Sequence, residues 1–247
     1  MNGNTATAAT TRRPRSADRK AAIGIGVLYI IGTVALVLSA IVTGPVLTGP
    51  TYLDQVAADP DALAVGALFV LVAGFALAMI PVVFWPVGRR YDETLAMGYV
   101  VFRGAVETVI YVIGVLGWLV LIPLSTEPDA APIAAFVRTA DAVLWEQVGV
   151  IPFALGALLF CALLYRSRLV PRWLSAWGLV GAALYVVPAL GGMFGLSLGV
   201  LMGPLAVQEM VLAAWLIAKG FDRTALAAGS VVSAPRWPAP PAAVPAT

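Results

Sequence analysis

Long apolar runs separated by short polar stretches repeat six times along this chain of 247 residues. They cover about residues 21–43, 62–87, 94–123, 147–165, 173–194 and 198–221. At 1.5 Å of rise per residue, each run folded as a helix is long enough to cross a hydrocarbon core about 30 Å thick. The pattern therefore predicts an all-α, polytopic membrane helix bundle with six transmembrane helices, which we number as spans one to six.

The polar ends of the chain flank this bundle. We expect residues 1–20 to form a basic N-terminal tail, residues 21–221 the six-helix transmembrane domain, and residues 222–247 a disordered tail rich in Pro and Ala. The first apolar run exceeds twenty residues and lacks a small-residue cleavage site. It is therefore interpreted as a signal-anchor that stays in place as span one.

Basic residues fall almost entirely on one side of the predicted membrane. All but two of the fifteen Lys and Arg residues lie before span one, between spans two and three, between spans four and five, or after span six. Because cytoplasmic loops are enriched in Lys and Arg, both termini are predicted to be cytoplasmic, with the protein in the cell inner (plasma) membrane. Arg138 lies on the opposite side, among Asp54, Asp59, Asp61, Glu127, Asp129 and Asp141.

The connection between spans three and four has a helical period of its own. Ile133, Phe136, Val137, Ala140 and Leu144 recur at helical spacing within residues 126–146. This segment is either a short helix lying on the outer face of the membrane or an outward extension of span four, and the pattern does not separate the two.

Composition excludes several classes of function. Hydrophobic residues make up 61% of the chain and charged residues only 11%, against about 25% charged residues in soluble domains. There is no His, which excludes a haem ligated through imidazole, a His-based zinc site and a His proton relay. No HExxH motif or Gly-rich phosphate loop is present either. We expect no cofactor, no metal, no nucleic-acid partner and no enzymatic activity.

Three charged residues interrupt the predicted spans: Arg103 and Glu107 in span three, and Glu209 in span six. An ionised side chain at bilayer depth costs about 3 kcal/mol on insertion scales, so it usually has a partner and a role. Tyr99, Arg103, Glu107 and Tyr111 follow one another at four-residue intervals, which places them on one face of an α-helix.

The same three charges are predicted to lie within about 6 Å of one depth, so Arg103 can contact Glu209 across the bundle, with Gln208 beside it. Two carboxylates and one guanidinium leave a formal charge of −1. Either one Glu carries a proton at pH 7, or a cation or polar ligand supplies the missing charge. The cluster therefore has one of three roles. It is a polar contact that fixes helix packing, or it is a site for a ligand, a proton or an ion, or it is a catalytic site.

Glycines precede the charged residue of span six. Gly195, Gly199 and Gly203 are spaced four residues apart and lead into Pro204. Small residues at this spacing allow membrane helices to approach closely, so the run predicts a packing interface. A helix broken at Gly203 and Pro204, of the kind found in transporters, is the alternative.

Several stretches of the chain are similar to those of a known protein family. They are TGPVL (43–47), GYVVFR (98–103) with Glu107, YRSRLVPRWLSAWG (165–178), and the segment from Gln208-Glu209-Met210 through Trp215 to Lys219-Gly220-Phe221. In these the chain resembles a bacterial family of integral membrane proteins described as a domain of unknown function (number 4386). The resemblance covers most of residues 20–221. It implies a single membrane domain and supplies no activity, substrate or site.

Two functions fit these observations. The first is a non-catalytic membrane scaffold or accessory protein, in which the buried charges specify helix packing. The alternative is a small transporter or channel-like protein that uses the cluster as a proton-, ion- or solute-binding site. Six spans suffice for transport only if the halves pair or the protein forms a homo-oligomer, and spans 1–3 do not visibly repeat in spans 4–6. The other expected partners are the lipid bilayer and anionic headgroups at Arg166, Arg168 and Arg172.

Reporter fusions test the predicted topology. Fusions after Gly88 and after Pro171 should report a cytoplasmic location, and fusions near Gln55 and Asp129 an external one, because the basic connections stay inside. The measurement is the activity of a reporter that works on only one side of the membrane. An external signal from the connection between spans four and five would contradict the six-span topology.

Overall fold

The structure is a computed structural model, which describes residues 15–196 and 198–232. Six helical stretches in this part of the chain are long and apolar enough to cross a membrane, which confirms the predicted all-α bundle. They are Ala17–Leu47 (span one), Pro60–Gly88 (span two), Glu93–Leu124 (span three), Ala131–Ser167 (span four), Arg172–Gly192 (span five) and Gly199–Ala218 (span six). Two shorter helices, Tyr52–Ala58 and Arg223–Val232, follow spans one and six.

Three of the spans are not uniform α-helices. Span three consists of Glu93–Tyr99, a π-helical segment Val100–Val106, and Glu107–Leu124. Span four consists of Ala131–Val143, a π-helical segment Leu144–Val148, and Val150–Ser167. Span six starts with a 3₁₀ turn, Gly199–Met202, before its α-helix Gly203–Ala218. The connection of residues 126–146 is therefore largely an extension of span four.

The six spans form a closed ring. Each packs mainly on the spans before and after it in the chain, and span six packs back on span one. At this closure Arg19 donates hydrogen bonds to the carbonyl oxygens of Leu216 (3.2 Å) and Ile217 (2.7 Å), which end the helix of span six. The start of span one and the end of span six therefore lie at the same end of the bundle, which we call the basic end. The other end is called the acidic end.

Aromatic side chains fill the ring near its basic end. Tyr99 stacks on Phe160 with ring centroids 4.5 Å apart, and Phe84 meets Phe160 edge-on at 4.9 Å. Phe221, just after span six, lies 6.0 Å from Phe84. These four residues, which we call the aromatic plug, are almost fully buried. The plug gives the basic half of the bundle a continuous apolar core.

A hydrogen-bonded carboxylate organises the acidic end. Asp141 of span four accepts hydrogen bonds from the indole N–H groups of Trp118 (3.0 Å) and Trp145 (2.9 Å). Arg138 contacts the same carboxylate at 3.4 Å and also donates to the carbonyl oxygen of Leu47 at the end of span one. The outward extension of span four is thereby fixed to spans one and three.

The predicted glycine interface before span six is wrong. Gly195 lies in a turn with φ +77°, and no heavy atom of the described residues lies within 4 Å of a Cβ built at Gly199 or Gly203. Helix 203–218 begins at Gly203, so these glycines form a connection and not a contact face. Close approach occurs instead at Gly26, where a Cβ would lie 2.6 Å from the carbonyl oxygen of Ala213.

The prediction of disorder from residue 222 onwards is wrong for residues 223–232, which form a helix. Asp222 caps it by accepting from the N–H of Ala225 (2.8 Å), and the Tyr91 hydroxyl donates to the carbonyl oxygen of Ala225 (2.9 Å). Burial raises the pKa of Tyr91 to about 12, so the hydroxyl is protonated and can donate at neutral pH. Residues 1–14 and 233–247 of the two predicted tails lie outside the described residues.

Gly26→Ala should destabilise the ring at its closure. The added methyl would press on a backbone oxygen that cannot move without displacing span six, and such overpacking costs about 1–3 kcal/mol. Gly24→Ala is the matched control, since its Cβ would be 3.7 Å from Val83, an ordinary contact. The measurement is the melting temperature in detergent. Equal melting temperatures for the two variants would contradict this account of the closure.

Candidate functional site

The charged cluster lies at the centre of the ring. Arg103 projects from the π-helical segment of span three and its side chain is only 2% exposed. Its Nη1 lies 3.3 Å from Oε2 of Glu107, and its Nη2 lies 3.4 Å from Oε1 of Glu209. Since spans three and six occupy opposite positions in the ring, the contact between Arg103 and Glu209 crosses the middle of the bundle.

Span four closes over the guanidinium from a third side. The Phe153 ring centroid lies 4.6 Å from Cζ of Arg103, and the Tyr29 ring of span one lies 5.9 Å from it. Gly156 permits this approach, because a Cβ there would lie 3.1 Å from Cβ of Arg103. Arg103 is thus enclosed by two aromatic faces and two carboxylates, the surroundings that stabilise a desolvated guanidinium.

A cavity of about 250 Å³ adjoins the cluster on the side of the acidic end. Arg103, Glu107 and Glu209 form its charged wall, and every span contributes to its lining. Two of its lining residues, Val37 of span one (52% exposed) and Ala206 of span six, are exposed, so the cavity approaches the surface of the bundle where these two spans meet. The other lining residues are Thr33, Leu36, Leu77, Ile110, Tyr111, Trp145, Gly149, Val150, Phe153 and Tyr185.

The polar atoms of the cluster are not all satisfied by the protein. Within the described residues, Nε and Nη1 of Arg103 and Oε2 of Glu107 are buried and make no well-aligned hydrogen bond, although the Tyr111 hydroxyl lies close to the Glu107 carboxyl group. The ion pair between Arg103 and Glu107 is close in distance but misaligned as a hydrogen bond. Buried polar atoms are nearly always hydrogen-bonded in folded proteins, so atoms left without a partner beside a cavity mark a place for a polar occupant.

The other residues predicted for this site separate into two groups. Tyr111 lines the cavity, where its ring contacts Trp145 at 5.3 Å between centroids. Tyr99 belongs to the aromatic plug, and its hydroxyl lies beside that of Tyr29 in span one. Gln208 points away from the cluster and donates to the carbonyl oxygen of Leu174 in span five (3.1 Å).

The predicted four-residue stripe persists through the π-helical segment, since Tyr99, Arg103, Glu107 and Tyr111 are all buried on one side of span three. A π-helix closes its hydrogen bonds from residue i to i+5, so four residues fall short of a full turn. In an α-helix four residues go slightly beyond a full turn, so the π-helical segment at residues 100–106 offsets this drift and the four side chains stay on one face. Segments of this kind are frequent at functional sites, and the second one, Leu144–Val148, also borders the cavity through Trp145.

Four aromatic residues of the site were missed by sequence reasoning: Tyr29, Trp145, Phe153 and Tyr185. None interrupts the apolar pattern of its span, so none attracts notice as a charge does. Tyr29 and Tyr185 carry hydroxyl groups within otherwise apolar runs, which is the one signal that could have selected them.

The fold and the cluster define a multi-pass integral membrane protein with a polar centre. Residues 25–220 match the family described as a domain of unknown function (DUF4386), and the chain belongs to that family. No curated protein and no solved structure matches the chain. The specific role therefore has to be inferred from the site itself.

Arg103→Ala should cost more stability than either Glu107→Gln or Glu209→Gln. Removing the guanidinium leaves two carboxylates buried together without a cation, which costs about 3–5 kcal/mol, whereas each Gln keeps the side-chain shape and a hydrogen-bonding group. The measurement is the melting temperature of the three variants in detergent. A melting temperature for Arg103→Ala at or above those of the Gln variants would contradict the central role of the ion pairs.

Proposed function

We propose that this protein binds a small cation in its central cavity, in competition with a proton, as a carrier or channel-like protein does. The observation that carries the proposal is the composition of the charged wall. Two carboxylates, Glu107 and Glu209, share a single guanidinium there, so the cluster has a formal charge of −1 beside an accessible cavity. A bound monocation or a proton brings that sum to zero in a place where net charge is costly.

The rest of the lining suits an organic cation. Trp145, Tyr111 and Tyr185 present aromatic rings to the cavity, and aromatic faces attract ammonium groups. Drug-sized ligands occupy pockets of about 300–1,000 Å³. The cavity, at about 250 Å³, therefore suits a ligand smaller than a drug molecule, with one positive charge and a short apolar part.

The route to the site is one-sided in this conformation. The aromatic plug lies between the cluster and the basic end, whereas the cavity extends toward the acidic end and approaches the surface where spans one and six meet. Such a site is accessible from one side only, and transport requires a second conformation in which the plug moves. Both π-helical segments border the site, and they are the places where a span can change its register.

A membrane scaffold or accessory protein remains the second candidate. It is favoured by the contacts of Arg103, which join spans three and six across the ring and would hold the bundle together without any ligand. In that case the cluster acts only on packing, and no small cation alters the stability of the protein. Both candidates assign the cluster to binding or packing and not to catalysis. For either candidate, we propose an inner-membrane location with both termini in the cytoplasm, on the distribution of Lys and Arg.

Thermal stability with and without a model cation tests the proposal. Tetramethylammonium chloride should raise the melting temperature of the purified protein above its value in NaCl at equal ionic strength, since a ligand that binds only the folded state stabilises it. The increase should be larger at pH 8 than at pH 6, because protons compete for the same carboxylates. Glu209→Gln should abolish this increase. It should also reduce the change of melting temperature that the wild type shows between about pH 5 and pH 9.

Glu127→Gln is the matched control, because Glu127 is exposed in the connection after span three and far from the cavity. It should respond to the cation as the wild type does. The proposal is overturned if the wild type shows neither the cation effect nor a pH effect that Glu209→Gln removes. That result, together with a strongly destabilised Arg103→Ala, would favour the scaffold.

A further inference from the structure

A second recess lies at the basic end, separate from the central cavity. It has a volume of about 920 Å³ and lies between the connection that joins spans four and five and the segment that follows span six. The two sides are joined by a hydrogen bond from the N–H of Asp222 to the carbonyl oxygen of Leu169 (2.8 Å). Residues 167–172 form one side and residues 219–225 with Ala228 the other, and Trp215 also lines the recess.

Four basic residues line this recess: Arg168, Arg172, Lys219 and Arg223, all of them exposed. The side chains of Arg168, Lys219 and Arg223 form no ion pair or hydrogen bond with any described residue, and that of Arg172 lies over the Tyr165 ring at 5.1 Å. The one acidic residue in the lining, Asp222, already accepts a hydrogen bond from the chain. The recess therefore carries an excess of positive charge that the described residues do not neutralise.

Other cations at the same end are used differently. Arg90 pairs with Asp18 (2.7 Å), Arg166 pairs with Asp92 (2.9 Å), and Arg19 caps the helix of span six. The sequence analysis predicts headgroup contacts for Arg166, Arg168 and Arg172. Of these, Arg166 already forms an ion pair with Asp92 within the protein. Two residues distant in the sequence, Lys219 and Arg223, take its place beside the recess.

Tryptophans place the recess at the level of the lipid headgroups. Trp173 follows Arg172 directly and is 54% exposed. Its ring lies 6.5 Å from that of Trp177 and 6.4 Å from that of Trp215, which itself lines the recess. Tryptophan rings concentrate at the boundary between hydrocarbon and headgroups, so the cations beside them lie where lipid phosphates lie.

We propose that this recess binds the phosphate-containing headgroup of an anionic phospholipid. Arg168, Lys219 and Arg223 supply the charge, and the Thr224 hydroxyl in the lining can donate to a phosphate oxygen. The exposed face of Trp173 lies against the acyl chains. The bound lipid would connect span four, span five and the segment after span six. It would add to the backbone hydrogen bond from Asp222 to Leu169, which joins the two sides of the recess.

The test uses the full chain in detergent with added lipid. Phosphatidylglycerol should raise the melting temperature in a saturable way, and phosphatidylcholine at the same concentration should not. In the triple variant Arg168→Gln, Lys219→Gln, Arg223→Gln, half-saturation should need about tenfold to a hundredfold more phosphatidylglycerol, because each cation near an anionic surface contributes substantially to binding. Lys219→Gln alone should give a smaller shift in the same direction, and it serves if the triple variant fails to fold.

Arg89→Gln is the matched control, since Arg89 is exposed at the same end but does not line the recess. It should retain the wild-type response to phosphatidylglycerol. An unchanged response in the triple variant overturns the proposal, as does an equal loss in Arg89→Gln. Inorganic phosphate is added separately, and stabilisation by phosphate as strong as that by the lipid would assign the recess to a soluble anion and refute the lipid.

Discussion

The burial of Arg103 between two carboxylates is the constraint on which the rest of this structure depends. A guanidinium at the centre of a membrane bundle is tolerated only if charges and aromatic faces replace the water it has lost. Glu107 supplies one charge from the same helix, Glu209 supplies the other from across the ring, and Phe153 covers the face. The contacts with Glu209 and Phe153 fix spans six and four relative to span three. The position of the cavity, whose charged wall these residues form, follows from that arrangement.

The six spans and the charged residues of the cluster could be predicted from the sequence, because the membrane imposes a simple rule on composition. A helix that crosses lipid must be apolar over its whole length, so the spans are visible as runs and charges inside them stand out. Arg103, Glu107 and Glu209 were selected on that ground, and the structure brings them together. The positions along each helix are enough to estimate depth, and so to predict a contact across the bundle.

The remaining features depend on information that composition does not contain. Tyr99 and Tyr111 share the buried face of span three but lie about three helical turns apart in depth, so Tyr99 joins the aromatic plug while Tyr111 lines the cavity. The direction of Gln208 is set by packing on span five, and nothing in its sequence neighbourhood indicates it. Glycine spacing was misleading for a related reason. Gly199 and Gly203 match the motif for close helix packing, but that motif needs a facing helix, and they lie at the start of a span with open space around them.

The wide separation of Arg103 and Glu209 in the sequence has a consequence for how the protein is made. The two residues lie 106 positions apart, so at about 5–20 residues per second roughly 5–20 s pass between their synthesis. Because both spans leave the ribosome with a similar delay, span three waits for its partner from span six for an interval of about the same length. Glu107 is only one helical turn from Arg103 and forms a pair with it that has no net charge. Span three can therefore leave the translocation machinery as an electrically neutral helix, and the second carboxylate arrives only when the last helix completes the ring.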